Sequence, residues 1–562
     1  RRGKLLTTSF TAFVLCEANQ RSRAAEISTQ RLRSTKKMIN NGPLEVSEQD
    51  ERSYRHLTLP NQLQVLLISD PETDKASAAL DTKVGAMSDP EDTQGIAHFL
   101  EHMLFLGTEK YPDENEYSKY LNAHGGSSNA YTDSEDTVYY FDVNQEHLAG
   151  ALDRFAQFFI APLFTEAATS REMGAVDSEN GKNQQSDLWR FMQLKKALSK
   201  PRHPYHKFST GNLETLRDLP LKQGVDLRSR LLEFHAKHYS ANLMRLVVLG
   251  KEPLDQLEKL AQEHFAQVPN KDALAPRFDP DPYGAALLGR RVKAVPIKDT
   301  RTVEMIWELP PSLPQYETKP QAYLSHLVGH EGPGSILSYL KARGWANGLY
   351  AGGFTSNSSF SLFGCQVECT DLGIAHFEDV VGAVFGYLAM LRQSGPKQWV
   401  FDESRDIASM NFRFKSKSRP IDYTVSCVTA MHKYPPARTL AGGSLLYTFD
   451  PAAVTAALEA LRPSNMLLTV AARAFEGQTD QNERWYGTAY QVEPLSASLL
   501  ETWAAPPPQA CEPFQLPKPN DFVATDFQLR PPPTATADTA ATALQASPSG
   551  APSGAPSGAP SG

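Results

Sequence analysis

The chain runs twice through the same order of strand-like and helical segments. In the first half, "LQVLLISD" and "ASAALDTKVGAMS" read as strands and precede a Pro-containing loop and an apolar helix around "HFLEHMLFLG". In the second half, "RRVKAVPIKD" and "TVEMIWELPPS" precede another such loop and a helix with "HLVGH". Both halves continue with a second helix and a Gly-containing return. This alternation predicts an α+β fold with two related domains.

Length and local composition predict where these domains lie. A chain of 562 residues exceeds one domain of ordinary size. Pro, Asp and Gly cluster in "DPDPYGAALLG", so we predict domains over residues 41–285 and 286–520. The Lys- and Arg-rich start, 1–40, is either a disordered extension or a transit-like segment. The Pro/Ala/Ser/Gly-rich end, 521–562, is expected to be disordered because it cannot bury enough apolar surface.

Composition argues against several classes of protein. The net charge of -8, without a basic stripe, argues against nucleic acid as a partner. No apolar run approaches the roughly 20 residues of a membrane span. Five scattered cysteines argue against a disulfide framework and for an intracellular protein. We expect the cytosol, with a mitochondrial or plastid location left open by the basic start. Cys365 and Cys369 lie in a strand-like run and are read as buried thiols rather than as a metal pair.

Two histidines and a glutamate interrupt the apolar stretch at residues 98–107. His98 and His102 are four residues apart, so on a helix their imidazoles converge. Two converging nitrogens form half of a tetrahedral zinc site, and Glu101 stands beside them. The pattern is HxxEH, the reverse of the HExxH helix of metalloproteases. Hydrogen-bonded core histidines are the alternative, but three polar groups among apolar side chains are costly without a ligand.

A third ligand is sought in "REMGAVDSENGKNQQSDLWRFMQL". Glu172 and Glu179 are seven residues apart, which places both on one helical face. The spacing alone does not distinguish a metal ligand from a solvated acidic face.

The chain resembles the inverzincin zinc metallopeptidases of the insulin-degrading enzyme (insulysin), pitrilysin and nardilysin family. The resemblance extends from about residue 50 to about residue 530. The segments that carry it are "GIAHFLEHMLFLGTEKYPDENEYSKYL", "GGSSNAYT", "TVYYFDV", "REMGAVDSENGKN", "HPYHKFSTGNLETL", "LVGHEGPGSILSYLKARGWANGL", "FRFKSKSRP", "LRPSNMLL" and "FEGQTDQNERWYGTAY".

The resemblance assigns roles in catalysis. It implies one zinc ion held by His98, His102 and Glu179, with Glu101 as the general base that takes a proton from water. Glu172 matches an acidic position that supports a ligand histidine. The implied fold has two related domains, each with a mostly antiparallel sheet packed with helices, that form one half of a clamshell peptidase chamber.

The resemblance also implies how peptides bind. Asn129 and Ala130 match an edge strand that pairs with the backbone of an extended substrate. Gly329 and Glu331 match the region that anchors the N-terminal end of a substrate away from the zinc. In the second half, His326 and His330 repeat the histidine pair, but Gly329 stands where the general base would be. The second domain is therefore expected to be inactive in catalysis.

The chain departs from the family in length, because the resemblance covers only an N-terminal half of such enzymes. The leading interpretation is a zinc metalloendopeptidase that acts on medium-length peptides. One alternative is a peptide-binding subunit, weakly active or inactive, that requires a complementary C-terminal half or a second copy of itself. Another alternative is an organelle processing peptidase, which suits the length and the basic start.

Overall fold

A computed structural model of the chain describes residues 39–284 and 287–528. Most of the predicted N-terminal extension (1–38) and of the predicted tail (529–562) lies outside these described residues, as does Cys16. The described part contains two sheets of seven strands each. Every helix in these two ranges is too short or too polar to cross a bilayer.

The first sheet has the strand order β1-β2-β3-β7-β4-β6-β5, in which only the β3–β7 pair is parallel. Its strands are β1 (Ile39–Asn40), β2 (Ser53–Thr58), β3 (Gln64–Ser69), β4 (Lys75–Thr82), β5 (Ser127–Thr132), β6 (Thr137–Asn144) and β7 (Met244–Gly250). Its helices are α1 (Ile96–Met103), α2 (Glu116–Ala123), α3 (Leu148–Ile160), α4 (Glu166–Asn183), α5 (Asp187–Ala197), α6 (Leu219–Lys222), α7 (Leu227–His238) and α8 (Leu254–Phe265).

The second sheet has the order β10-β11-β9-β12-β8-β14-β13, in which only the β12–β8 pair is parallel. Its strands are β8 (Arg290–Ala294), β9 (Thr302–Leu309), β10 (Ala346–Ser356), β11 (Ser361–Cys369), β12 (Met466–Ala471), β13 (Gln481–Asn482) and β14 (Ala489–Pro494). Its helices are α9 (Pro320–Val328), α10 (Ile336–Ala342), α11 (Asp371–Ala375), α12 (Phe377–Ser394), α13 (Gln398–Arg413), α14 (Pro420–Lys433), α15 (Pro451–Ala460), α16 (Ala497–Ala504) and α17 (Pro508–Cys511).

The two sheets repeat one topology. Strands β3-β7-β4-β6-β5 of the first sheet correspond in order to β8-β12-β9-β11-β10 of the second, and the parallel pair occupies the same place in both. Each sheet ends on one side at the strand that follows the second helix of its half, β5 or β10. The prediction of an α+β fold with two related, mostly antiparallel domains is confirmed.

The central strands of the first sheet are covered on both faces, as their continuous apolar runs indicate. On one face, Val65 and Leu67 join a core built with helices α1, α3, α7 and α8. On the other face, Leu66 and Ile68 pack against residues of α14, a helix from the second half of the chain. A buried hydrogen bond of 2.8 Å between Ser77 Oγ and Thr424 Oγ1 fixes α14 on β4.

The second sheet receives a helix from the first half in return. Leu194 of α5 packs in a core with Val292, Ile306 and Leu467 of the second sheet. Lys195 pairs with Glu304 of β9 at 3.0 Å. Helix α5 follows α3 and α4 as α14 follows α12 and α13. The two domains therefore exchange equivalent helices, and each sheet is completed by the other half of the chain.

The two clustered cysteines lie in the strand β11, as the sequence predicts. Cys365 and Cys369 are unpaired and buried in the core between the second sheet and its helices. Burial raises the pKa of each thiol to about 12. Both therefore act as apolar core side chains.

Candidate active site

Helix α1 begins at a point where the backbone is tightly constrained. Gly95, at its N-cap, has a φ of 91°. A Cβ at Gly95 would lie 2.3 Å from the Cα of Gly211, so only glycine fits there. The buried carboxylate of Asp89 accepts hydrogen bonds from the N–H of Gly95 at 2.7 Å and of Ala97 at 3.0 Å. These contacts fix the direction of the helix.

The half-buried histidines of α1 meet Glu179 of α4. Nε2 of His98 and Nε2 of His102 are 3.3 Å apart, and each lies 3.6 Å from Oε2 of Glu179. Bonds of about 2.0–2.2 Å to a tetrahedral zinc ion place neighbouring ligand atoms about 3.3–3.5 Å apart. Both the spacing and the His2Glu donor set therefore fit a zinc ion with a fourth position left open.

A hydrogen bond to the second ring nitrogen orients each histidine. Nδ1 of His102 donates to Oε1 of Glu172 at 2.8 Å. Nδ1 of His98 lies 2.7 Å from the backbone carbonyl of Thr210, which can only accept. A proton on Nδ1 leaves the lone pair of Nε2 free to bind a metal. When the rings are neutral, the arrangement therefore favours the ligating tautomer of both.

The acidic surroundings change the proton affinity of the ligand residues. Burial lowers the pKa of His102, but the hydrogen bond to Glu172 and the nearby carboxylates of Glu179 and Glu101 outweigh burial and raise it to about 9. The imidazole of His102, 3.6 Å away, lowers the pKa of Glu179. Two carboxylates against two imidazoles thus create a site of net negative character that attracts a cation.

Glu101 lies on the more buried side of the same helix, with 6% of its surface exposed. Its Oε2 accepts a hydrogen bond from Thr132 Oγ1 at 2.6 Å. Burial raises the pKa of this carboxyl group. Thr132 ends the strand β5, so the carboxylate lies next to the free edge of the first sheet.

The predicted peptide-binding residues Asn129 and Ala130 lie on β5. This strand pairs only with β6 among the described strands, so its other edge is open for main-chain hydrogen bonds. Asn129 is exposed and Ala130 is partly buried. An extended peptide added to this edge would run past Glu101.

The second-domain residues Gly329 and Glu331 follow helix α9, and Gly329 lies near the equivalent edge strand, β10. Gly329 directly follows helix α9, a Cβ at Gly329 would lie 3.8 Å from the Cβ of Ala351 in β10, and Glu331 is exposed. The structure does not bring either residue to the histidine pair of α1.

The second histidine pair does not converge as the first does. The ring centroids of His326 and His330 are 6.3 Å apart, whereas those of His98 and His102 are 4.8 Å apart. The cause is local, because α9 ends at Val328 and His330 leaves the helical path. His330 instead accepts a hydrogen bond from the N–H of Gly332 at 3.0 Å.

A second carboxylate–histidine group lies under α14. Ligand atoms of Asp81, Asp136 and His432 lie within 4.8 Å of one another. The Lys83 ammonium already donates to Asp136 at 2.8 Å, and Nε2 of His432 lies 3.4 Å from the backbone carbonyl of Asp81. A lysine thus supplies the positive charge, and we assign this group to packing between α14 and the first sheet.

Two residues that touch the site were missed by sequence reasoning. Thr210 contributes a backbone carbonyl, which every residue type has, so no side-chain pattern could indicate it. Thr132 lies at the end of "GGSSNAYT", and its position as the last residue of the edge strand was the one available signal.

Three family models match successive parts of the chain. The insulinase (peptidase family M16) model matches residues 64–202, the peptidase M16 inactive domain matches 226–407, and the middle or third domain of peptidase M16 matches 412–550. The motif helix α1 falls within the first match. The second histidine pair falls within the match to the inactive domain.

Whole-protein comparisons agree with these matches. The chain is 47% identical to insulin-degrading enzyme-like 1, peroxisomal, of Arabidopsis thaliana, over 86% of this chain and 49% of that protein. It is 46% identical to the insulin-degrading enzyme of Homo sapiens, over 86% of this chain and 47% of that protein. The crystal structure of pitrilysin superposes with a TM-score of 0.83 at 31% identity, covering 88% of this chain and 52% of that one.

The chain belongs to peptidase family M16, in the branch of insulin-degrading enzyme and pitrilysin. It spans about half the length of the curated relatives it matches.

Proposed function

We propose that the protein is a zinc-dependent metalloendopeptidase that hydrolyses medium-length peptides with an activated water. The observation that carries the proposal is the triangle of His98, His102 and Glu179 ligand atoms, with edges of 3.3 and 3.6 Å, beside the buried carboxylate of Glu101. A set with this donor chemistry and an open fourth position is typical of catalytic zinc sites.

In the proposed mechanism, Glu101, Thr132 and Glu172 have separate roles. A bound zinc ion would lower the pKa of water and polarise the scissile carbonyl. Glu101 accepts the proton of the attacking water and passes it to the leaving amine. The hydrogen bond from Thr132 holds one oxygen of Glu101, so the carboxylate keeps its direction during both transfers. Glu172 keeps His102 in its ligating tautomer.

Substrate binding is proposed at the free edge of the first sheet. Main-chain hydrogen bonds to Asn129 and Ala130 would hold an extended peptide with little demand on its sequence. Gly329 and Glu331 would anchor the N-terminal end of the peptide at the second domain. In this scheme, residues 41–285 form the catalytic domain and 286–520 an inactive domain with a peptide-anchoring role.

A second proposal concerns what the chain needs for full activity. It covers 47% to 49% of the relatives named above. The alternative to an active peptidase is a peptide-binding subunit, weakly active or inactive by itself, that requires a complementary C-terminal half or a second copy of itself. The cytosol is the proposed location, which agrees with the unpaired cysteines Cys365, Cys369 and Cys427.

The test is cleavage of a quenched fluorescent peptide of medium length by the purified chain, with and without a metal chelator. The proposal expects chelator-sensitive cleavage that Glu101→Gln abolishes while zinc content is kept. Glu166→Gln, at an exposed position of α4, is the matched control and keeps activity. Ordinary turnover by Glu101→Gln contradicts the assignment. Bound zinc without cleavage supports the subunit, and a single cut in a presequence peptide supports the organelle processing peptidase.

A further inference from the structure

A loop of the second domain lies against the candidate zinc site. Residues 483–487, between β13 and β14, carry Tyr486, of which 4% is exposed. The hydroxyl of Tyr486 lies 2.7 Å from Oγ1 of Thr210 in a buried hydrogen bond. The carbonyl of the same Thr210 lies 2.7 Å from Nδ1 of His98. A single residue therefore connects the second domain to a ligand histidine.

The loop itself is held in one conformation. The buried carboxylate of Glu483 accepts hydrogen bonds from the N–H of Trp485 at 3.1 Å and of Tyr486 at 2.7 Å. Gly487 then adopts a φ of 68°, which glycine tolerates best. Arg190 of α5 donates to the carbonyls of Tyr486 and Gly487. These contacts fix the position of the Tyr486 hydroxyl.

The same loop also contacts the segments on either side of the site. The ring of Trp485 stacks on Phe208, two residues before Thr210, with centroids 4.6 Å apart. The amide of Gln184, just after the helix that carries Glu179, donates to the carbonyl of Trp485 at 3.3 Å. The loop is therefore attached to the Thr210 segment and to the end of α4.

The Thr210 segment has little freedom to move in the direction of the zinc site. Gly211 has a φ of 78°. Its Cα packs closely against Gly95, because a Cβ added to Gly95 would lie 2.3 Å from the Cα of Gly211. Motion away from α1 is opposed by the contacts that Phe208 and Thr210 make with Trp485 and Tyr486. The N–H of Phe208 also donates to Oε1 of Gln94 at 2.9 Å.

We propose that Tyr486 is a positioning residue for the metal site. Through Thr210 it holds the backbone carbonyl that keeps the Nδ1 proton on His98, and so it directs the Nε2 lone pair at the metal. The inference rests on the proposed zinc site of His98, His102 and Glu179. In this proposal the second domain contributes to metal retention through Thr210.

The experiment measures zinc affinity of the full chain by competition with a fluorescent chelator. Removal of a partner that orients a metal ligand costs about 10- to 100-fold in affinity. Tyr486 acts on His98 only through Thr210, so we expect an effect at the lower end of this range. Tyr486→Phe should weaken zinc binding about tenfold. Thr210→Val should do the same, and Thr210→Ser, which keeps the hydroxyl, should restore wild-type affinity.

Two comparisons separate positioning from general stability. Tyr387→Phe is the matched control, because the Tyr387 hydroxyl is also buried and donates to Leu327 O at 3.0 Å, within the core of the second domain. It should lower the melting temperature without changing zinc affinity. The Thr210→Val/Tyr486→Phe double variant should bind zinc no more weakly than either single variant, because both remove one hydrogen bond.

The outcomes distinguish the two proposals. A wild-type chain that binds no zinc overturns the proposed function. A wild-type chain that binds zinc, with Tyr486→Phe and Thr210→Val unchanged in affinity, overturns the role of Tyr486 alone. If Tyr486→Phe fails to fold, the contrast between Thr210→Val and Thr210→Ser decides the question in the same way.

Discussion

The carboxylate of Glu172 accepts a hydrogen bond from Nδ1 of His102 at 2.8 Å, two helical turns before Glu179 on the same helix. Helix α4 thus provides one ligand atom of the candidate zinc site and also the group that orients another ligand. A carboxylate partner fixes the tautomer of a ligating imidazole and raises its basicity. The seven-residue spacing of the two acids therefore brings both carboxylates against His102.

Removing the Glu172 carboxylate should weaken metal binding. Glu172→Ala is expected to lower zinc affinity by about 10- to 100-fold. Glu172→Gln should lower it less, because the amide oxygen can still accept the hydrogen bond from His102. Chelator competition measures both, with Glu166→Gln of the same helix as control. Zinc affinity that is unchanged in Glu172→Ala would show that the contact does not support the ligand.

The part of the site that lies on single helices could be predicted from the sequence. The relation of His98 to His102 follows from the helical repeat, and so does the shared face of Glu172 and Glu179. That His98 would meet Glu179 required the resemblance to known peptidases. The contact of Thr210 with Tyr486 joins residues 276 positions apart, and no local pattern reports such a contact.

The same limit applies to the fold. The order of strands and helices in each half follows from local patterns, and the structure confirms it. The exchange of α5 and α14 between the sheets does not follow from these patterns. An apolar helix face shows that a helix must be covered, but both sheets offer an apolar face of the same kind. Only packing of the whole chain selects the partner.

Zinc binding near neutral pH should release a proton. The pKa of about 9 for His102 means that the free chain holds a proton there at pH 7, whereas a metal binds only the neutral ring. Zinc affinity should therefore rise with pH up to about 9. Calorimetry in two buffers of different ionisation enthalpy measures the proton. Glu172→Ala should release less, because Glu172 helps to raise this pKa; equal heats in both buffers would contradict the prediction.

Gly174→Ala should stabilise the first domain. Gly174 lies inside helix α4, and an added Cβ would meet no atom within 4 Å. Alanine in a helix interior is favoured over glycine by about 0.5–1 kcal/mol, so the free energy of unfolding should rise by that amount. Gly150→Ala in α3 is the opposed control, because its Cβ would lie 2.1 Å from the Tyr120 hydroxyl. Denaturant unfolding should show a higher free energy of unfolding for Gly174→Ala and a lower one for Gly150→Ala than for the wild type.

Acid should destabilise the first domain through its buried histidines. His56 is 1% exposed, and neither ring nitrogen has a hydrogen-bond partner among the described residues. Burial lowers its pKa to about 4, from about 6.5 in an unfolded chain. Between these values the unfolded chain binds the proton more tightly, so stability is full above about pH 6.5 and falls as pH drops toward 4. Melting temperatures at pH 7.5, 6.5 and 5.5 should show this fall, and His56→Leu should reduce its slope. A slope unchanged by that substitution would contradict the assignment.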